Sequence, residues 1–311
     1  MAEQRNDGRY NGIPDEQYHA DRSSLSVSGA KLLLPPSCPA KFRHYMDNPK
    51  PTKKVWDFGH VAHRLILGKG VEIAVLDPAV HGLTKDGDAA SNPAATTSWK
   101  QAAAEARERG ATPIHIDEYR RAEAMANAVL NDPIAGPTFE QGEAEQSFYC
   151  MDAITGVQLR GRTDWWCGDN VDDVKTSVTA NPAELDRAFW KLGYWMQAAW
   201  YRDLLIALGI SENPRFRFVV VEKDPPHIVQ VVEYDDDALA EGRRVNRQAI
   251  ETFARCRDSG RWPAYADGVV TLSPPRWWRN ADGLTAYEID QAATQAEADA
   301  LIAELEGIYT K

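Results

Sequence analysis

The sequence lacks the features of a membrane-spanning or metal-cluster protein. No apolar run approaches the roughly 18 residues expected of a membrane span, and the opening residues Met-Ala-Glu-Gln-Arg-Asn-Asp contain no apolar signal core. The cysteines are scattered, and none belongs to a C-x-x-C pair of the kind that binds zinc or iron–sulfur clusters: Cys38, Cys150, Cys167 and Cys256. We therefore expect a cytoplasmic protein with reduced thiols and no membrane partner.

The sequence also contains fewer basic than acidic residues. The 311 residues include 35 Lys and Arg against 46 Asp and Glu, so the formal net charge is −11. A uniformly acidic surface repels nucleic acid, so the net charge taken alone argues against a DNA partner. The basic residues are nevertheless grouped, for example at Arg160 and Arg162, at Arg215 and Arg217, and over 243–247. The charge deficit therefore does not exclude a protein that binds DNA locally.

The N-terminal half is predicted to be largely helical. Residues 1–22 are polar, and we expect them to be irregular. Ser26 or Ser28 is expected to cap a short helix through Leu34, because a serine oxygen accepts the free N–H groups at a helix start. Further helices are predicted from near Trp56 and over 98–109 and 117–132.

Apolar alternation predicts strands from about residue 145 onward. Two hairpins and an intervening strand are indicated, over 146–151 with 157–166, 171–176, and 216–222 with 228–234. Asn181-Pro182 begins a long helix to about Leu208, and another helix is predicted over 236–257. This order predicts an α/β (α+β) fold with a mostly antiparallel sheet. We divide it into a polar segment (1–22), one domain (23–285) and a C-terminal helical tail (286–311).

Three residues of the strand region carry the strongest functional signal. On the predicted strand 159–166, Asp164 shares a face with Arg160 and Arg162, and on the next strand Asp173 shares a face with Lys175. If the two polar faces meet, the carboxylates can hold a divalent cation. Lys175 would then orient the attacking water or stabilise a phosphoryl oxyanion. The alternative is an exposed salt bridge of little energetic weight.

Other residues are candidates for supporting roles. His63 lies on the helix predicted from near Trp56, where His60 is an equally available ligand, and a histidine beside leucines is often a core residue. Gln197 and Tyr201 share a helix face, either toward the site or within an aromatic core.

Phosphate contacts are also predicted. The guanidinium groups of Arg160 and Arg162 suit backbone phosphates, although they could instead pair with acidic neighbours. The helix start at Ser26 and Ser28 could receive a terminal phosphate.

In this order, the motifs resemble the phage and prophage exonucleases of the exonuclease VIII (RecE) type. The resembling segments cover roughly residues 18–205: Leu25-Ser-Val-Ser-Gly-Ala-Lys-Leu-Leu-Leu34, Phe58-Gly-His-Val-Ala-His63, Arg160–Asp164, Asp173-Val-Lys175 and Gly193–Tyr201. The family belongs to the PD-(D/E)XK nuclease superfamily, near the RecB-type branch. The resemblance thus implies a restriction-endonuclease-like core, with a central mixed sheet flanked by helices and an N-terminal helical part.

The resemblance also implies an activity and its partners. It implies a Mg²⁺-dependent 5′→3′ exonuclease, with Mn²⁺ as a substitute, that acts on double-stranded DNA ends in the host-cell cytoplasm. The resulting 3′ single strand would pass to a phage single-strand annealing protein for recombination, and the enzyme would be a homo-oligomeric ring. Alternatives are a CRISPR-associated RecB-like nuclease or another nuclease of different polarity, and a non-catalytic DNA-binding recombination scaffold.

Residue roles follow from the same resemblance. It implies a metal-ligand set made of three side chains and one backbone carbonyl: His63, Asp164, Asp173 and Val174. Lys175 would be catalytic, Gln197 and Tyr201 would support the site, and Glu145 would be an accessory group.

Overall fold

The computed structural model describes residues 5–48 and 58–275. Chain contacts separate Met1–Tyr265 from Ala266–Lys311, and every element described below lies in the first of these units. Residues 266–275 of the second unit form neither helix nor strand. The predicted tail helix over 286–311 and the predicted domain end over 276–285 lie outside the described residues, so the domain boundaries stay predictions. No helix in the described part of the chain is long and apolar enough to cross a membrane.

Helices cover most of the N-terminal half and return after the strands. Their bounds are α1 (Asp15–Ala20), α2 (Val27–Leu33), α3 (Pro39–Asp47), α4 (Phe58–Leu67), α5 (Pro78–His81), α6 (Thr97–Glu108), α7 (Ile116–Leu130), α8 (Pro182–Lys191), α9 (Tyr194–Ala207) and α10 (Asp236–Ser259). The predicted helices over 98–109, 117–132 and 236–257 are confirmed as α6, α7 and α10. The Ser26 oxygen accepts a 3.3 Å hydrogen bond from the Gly29 amide at the start of α2, and Ser28 lies inside that helix.

The strands form two larger mixed sheets and one small parallel pair. Their bounds are β1 (Gly8–Tyr10), β2 (Ser24–Ser26), β3 (Ile73–Leu76), β4 (Thr112–His115), β5 (Glu143–Ala144), β6 (Ser147–Met151), β7 (Gln158–Arg162), β8 (Trp165–Cys167), β9 (Asn170–Ser177), β10 (Arg215–Glu222) and β11 (Val229–Glu233). The strand orders are β1-β6-β7-β2, β11-β10-β9-β8-β5 and β3-β4. Within the larger sheets, β2 and β7 are parallel, as are β9 and β10, and the other pairs are antiparallel. The α/β class with a mixed sheet is confirmed, and most strand pairs of the larger sheets are antiparallel as predicted, but the expectation of a single sheet is wrong.

The predicted strand over 157–166 is in fact two strands in different sheets. β7 ends at Arg162, and β8 begins at Trp165 in the five-stranded sheet. Between them the Thr163 amide donates to the Gln146 carbonyl at 2.9 Å, and the Asp164 carbonyl accepts from the Glu145 amide at 2.9 Å. These bonds fix a corner at Thr163 and Asp164. Charged residues recur at every second position through the corner, at Arg160, Arg162 and Asp164, so the pattern alone did not indicate a break.

Three other predictions need correction. The helix predicted from Asn181 to Leu208 is divided into α8 and α9 by Gly193, whose φ of 66° lies in the left-handed region that glycine adopts readily. The N-terminal segment expected to be irregular contains β1 and α1, because β1 pairs with β6 in the four-stranded sheet. The parallel β3–β4 pair was not predicted.

The five-stranded sheet is covered on both faces. On β10, Phe216, Phe218 and Val220 enter one apolar core, while Val219 and Val221 enter the other, as the two-residue period of a strand requires. The first core also contains side chains of α2, α9 and α10, and the second contains side chains of α4 and α7. Register places Asp173 beside Phe218 and Lys175 beside Val220. Both polar residues therefore lie on the face that α9 covers.

Candidate active site

The corner between the two larger sheets presents Asp164 to β9 and α4. One carboxylate oxygen, Oδ2, accepts a 2.9 Å hydrogen bond from the Val174 amide and lies 3.0 Å from His63 Nε2. Burial lowers the pKa of His63, but Asp164 and neighbouring carboxylates outweigh that effect and raise the pKa above its ordinary value. Burial raises the pKa of Asp164, but His63 and Lys175 outweigh this effect and hold the pKa below its ordinary value. Asp164 is thus held as a carboxylate beside an imidazole.

Asp173 and Lys175 form a close ion pair on the α9 side of β9. Lys175 Nζ lies 2.5 Å from Asp173 Oδ2, and Gln197 Nε2 donates to Asp173 Oδ1 at 2.7 Å. Burial raises the pKa of Asp173 to about 6, although Lys175 pulls it down. Burial lowers the pKa of Lys175, but the Asp173 and Asp164 carboxylates outweigh this and raise it above the ordinary value. The structure therefore brings the predicted acid, lysine and glutamine into one buried cluster.

Val174 links the two carboxylates through its backbone. Its amide points to Asp164 rather than to β10, and in a strand the N–H and C=O of one residue point to the same side. The Val174 carbonyl therefore faces the Asp164 side of β9, which is the orientation that a metal-binding carbonyl requires.

The donor set fits a hard divalent cation. Carboxylate and carbonyl oxygens suit Mg²⁺ and Mn²⁺, and an imidazole can complete such a set. Asp173 Oδ2 is buried and forms an ion pair with Lys175, but it accepts no hydrogen bond of normal geometry among the described residues. Among residues 5–48 and 58–275, no three His, Cys, Asp or Glu side chains already converge as a metal cluster. The Asp164 carboxylate contacts His63, whereas the Asp173 carboxylate contacts Lys175. The predicted metal-ligand set therefore stays a prediction. The His60 side chain lies outside the described residues.

Tyr201 forms hydrogen bonds with the last residue of β7, just before the corner. Its hydroxyl donates to the Arg162 carbonyl at 2.6 Å and accepts from the Arg162 amide at 3.2 Å. Gly161 permits this approach, because a Cβ at that position would lie 2.8 Å from Tyr201 Cε1 and from Leu204 Cδ1. Tyr201 thus holds the backbone two residues before Asp164.

We expect Tyr201→Phe to lower the free energy of unfolding by about 1–3 kcal/mol, because both Arg162 backbone groups lose their partner. Denaturant unfolding measures the change. Tyr45→Phe is the matched control, since Tyr45 is 47% exposed, and we expect it to stay within about 0.5 kcal/mol of the parent. Equal stability of the Tyr201 and Tyr45 variants would contradict a hydroxyl clamp at the end of β7.

A cavity of about 350 Å³ adjoins the corner. It is lined by all four predicted DNA-contacting residues and by two residues of the candidate metal site: Ser26, Ser28, Arg160, Arg162, His63 and Asp164. The structure thus brings the predicted phosphate contacts to one place beside the candidate metal site.

The two arginines are also used inside the protein. Arg160 Nη1 donates to Ser24 Oγ at 2.7 Å and to the Ser24 carbonyl at 2.8 Å, and its Nε is buried without an acceptor. Arg162 Nε donates to Ser147 Oγ at 3.0 Å, and its Nη2 donates to the Ile13 carbonyl at 2.8 Å. Both arginines therefore hold the N-terminal segment to the four-stranded sheet. Their DNA-binding role stays a prediction.

Glu145 lines the same cavity in an unusual backbone conformation. Its φ is 53°, in the left-handed region that non-glycine residues rarely adopt, and its amide donates to the Asp164 carbonyl. Backbone strain of this kind is concentrated at functional sites. Glu145 thus lies beside Asp164, and its accessory role stays a prediction.

Two contacts of β9 were not foreseen. Lys175 Nζ lies over the ring of Tyr194 at 5.0 Å from the centroid. On the opposite face, Arg217 forms two bonds to the fully buried Asp172 carboxylate, at 2.7 and 3.0 Å. Alternation along 171–176 indicated that Asp172 faces away from Asp173, but only the β9–β10 register identifies its partner.

Comparison with known proteins gives a family and a fold. A family model described as a PDDEXK-like domain of unknown function (DUF3799) matches residues 26–272. A crystal structure of a putative exonuclease from Eubacterium rectale is similar with a TM-score of 0.52 and 14% identity, covering 91% of this chain and 99% of that one.

An alkaline exonuclease from Laribacter hongkongensis matches at 17% identity, over 65% of this chain and 97% of that one, but its TM-score of 0.26 is too low to show a shared fold. No curated protein matches the sequence. At 14% identity, the likeness to the Eubacterium rectale structure shows a shared fold.

Proposed function

Because this chain belongs to the PDDEXK-like family DUF3799, we propose that it is a divalent-metal-dependent exonuclease acting on double-stranded DNA ends. One observation carries the proposal. The Asp164 carboxylate binds the amide of the residue that lies between Asp173 and Lys175. The acid at the corner is thereby placed beside the strand β9 that carries the second acid and the lysine, and two acids with a lysine are what metal-assisted phosphodiester hydrolysis requires.

The chain's own residues have distinct tasks in this mechanism. A bound Mg²⁺ supplies Lewis-acid activation of water and neutralises charge on the phosphate. His63, Asp164, Asp173 and the Val174 carbonyl would hold it. Asp164 is kept ionised by its neighbours, and Gln197 fixes the Asp173 carboxylate through its 2.7 Å hydrogen bond.

Lys175 supplies a fixed positive charge beside the carboxylates. The direction of its pKa shift shows that it stays protonated at neutral pH. Its ammonium group can therefore donate to the attacking water or to a developing phosphoryl oxygen. This task does not require Lys175 to lose a proton.

The finer description comes from the resemblance to RecE-type enzymes. We propose 5′→3′ digestion that requires Mg²⁺, with Mn²⁺ as a substitute, and leaves a 3′ strand for a phage single-strand annealing protein in the host cytoplasm. The PDDEXK-like family and the site geometry support the nuclease chemistry. Polarity, the recombination role and a homo-oligomeric ring rest on the resemblance, and mass measurement in solution tests the oligomer.

We expect the 5′ label to be released first from duplexes labelled at either end, and only with a divalent cation. Duplexes with a 5′ phosphate should be digested faster than those with a 5′ hydroxyl, because Ser28 and Arg162 line the cavity beside the metal site. The measurement is label release with Mg²⁺, with Mn²⁺ and with EDTA.

Each other outcome has a distinct meaning. Earlier release of the 3′ label would contradict the polarity, and equal rates on the two 5′ ends would contradict the phosphate preference. DNA binding with both labels retained in Mg²⁺ would indicate a non-catalytic scaffold and would contradict the nuclease.

A further inference from the structure

Lys31 approaches the site from the N-terminal helical part. It lies on α2, and its Nζ donates a 2.9 Å hydrogen bond to the Leu192 carbonyl at the end of α8. That is one acceptor for a group with three N–H bonds. Within the described ranges, no carboxylate oxygen lies within ion-pair distance of Lys31 Nζ. Lys31 is thus a partly buried cation whose charge is not directly paired.

A second cation lies close by. Lys31 Nζ is 5.3 Å from the centroid of the Tyr194 ring, and Lys175 Nζ is 5.0 Å from the same centroid. Lys175 has its own carboxylate in Asp173. Burial and then repulsion from Lys175 lower the pKa of Lys31 to about 8, against the opposing attraction of Asp173. The two ammonium groups therefore lie at one aromatic ring, and Lys175 is the one that is paired with a carboxylate.

An ammonium group without a paired carboxylate, as in Lys31, can bind an anion. A phosphate binds lysine as a point charge and offers oxygen acceptors for the remaining N–H groups. It would also offset the repulsion between Lys31 and Lys175.

We propose that Lys31 binds a backbone phosphate of the DNA strand at the active site, so that α2 forms part of the DNA-binding surface. The proposal rests on the proposed function, because it takes DNA as the ligand. The competing interpretation is purely structural, with Lys31 serving only to bind the last carbonyls of α8. A positive charge is needed for the first role, whereas a neutral donor is sufficient for the second.

Lys31→Gln and Lys31→Arg separate the two roles. Glutamine keeps a neutral donor but removes the charge, and arginine keeps the charge. The probe is binding of a blunt 5′-phosphorylated duplex in EDTA at several salt concentrations, so that no cleavage contributes. Lys31→Gln is expected to reduce the slope of log K against log salt by about 1, the value for one lost phosphate contact, and Lys31→Arg to restore it. Lys100→Gln, on the exposed side of α6, should leave the slope unchanged.

The pH dependence of the same binding gives a second readout. The charged or titratable groups that face Lys31 are Lys175, Asp173 and Tyr194. Between pH 7 and 9, Lys175 stays protonated and Asp173 stays ionised, and the raised pKa of Tyr194 keeps its hydroxyl neutral. Phosphate binding favours protonated Lys31, so binding by the parent should weaken as pH rises through about 8, and binding by Lys31→Arg should not.

The possible results distinguish the proposals. An unchanged salt slope in Lys31→Gln, with the parent binding and digesting DNA normally, would overturn the Lys31 proposal alone. A parent that neither binds nor digests duplex DNA would overturn it together with the proposed function. Loss of stability in Lys31→Gln without a change in slope would establish the structural role instead.

Discussion

Lys175→Met is expected to lower the rate of linear-duplex digestion by at least about 10²–10³-fold, the usual loss when one group that stabilises transition-state charge is removed. The lysine is the cation placed against Asp173, and no neutral side chain replaces its donation to a developing phosphoryl oxygen. The measurement is initial digestion rate at saturating Mg²⁺. Lys100→Met, at an exposed position in the first turn of α6, is the matched lysine control and should digest at the parent rate.

The fold should survive this substitution. Removing one partner of a buried ion pair is costly when the other must stay charged. Asp173 avoids this cost by taking up a proton, since its pKa is already about 6 with Lys175 present and rises when the lysine is lost. Circular dichroism and thermal unfolding check that the variant is folded. A folded Lys175→Met protein with near-normal digestion would contradict the assigned site.

Arg217→Met is expected to reduce the free energy of unfolding by about 3–5 kcal/mol, the range found when a buried ion pair loses one partner. Asp172 is 0% exposed and receives both arms of the Arg217 guanidinium. Burial already raises the pKa of Asp172 despite this pairing, so the isolated carboxylate is costly to keep in place.

Arg215→Met is the control for that experiment. Arg215 lies two residues earlier on β10 and pairs with Glu233, but both side chains are about half exposed, at 56% and 48%. Exposed pairs contribute about 0–1 kcal/mol, so this variant should unfold almost like the parent. Urea unfolding measures the free energy of unfolding of both variants. Similar losses of this free energy would contradict the expectation that the buried pair contributes more than the exposed pair.

The sequence indicated local features of the site well. Alternation along 171–176 correctly placed Asp173 and Lys175 on one face, because a strand period of two is fixed by backbone geometry alone. The serine cap of α2 followed from the same kind of short-range chemistry. These predictions needed no knowledge of neighbouring elements.

Features that depend on distant contacts were not predictable in this way. The corner at Asp164 arises from hydrogen bonds with residues 145 and 146, which the alternation of 157–166 does not reveal. The break at Gly193 was hidden by apolar side chains on both sides, although the glycine itself was a signal that could have been used. The parallel pairing of β9 with β10 follows from the intervening helices and not from either strand's pattern.

That parallel pairing also has a consequence for synthesis of the protein. Parallel strands cannot be joined by a tight turn, so β9 gains its central position only after α8, α9 and β10 have been made. A nascent chain that ends just after Lys175 already carries both acids and the lysine, but it lacks the helix that bears Gln197 and the strand that orders β9. The candidate active site is therefore completed only after β10 has been synthesised, and not when its acids and lysine first appear in the chain.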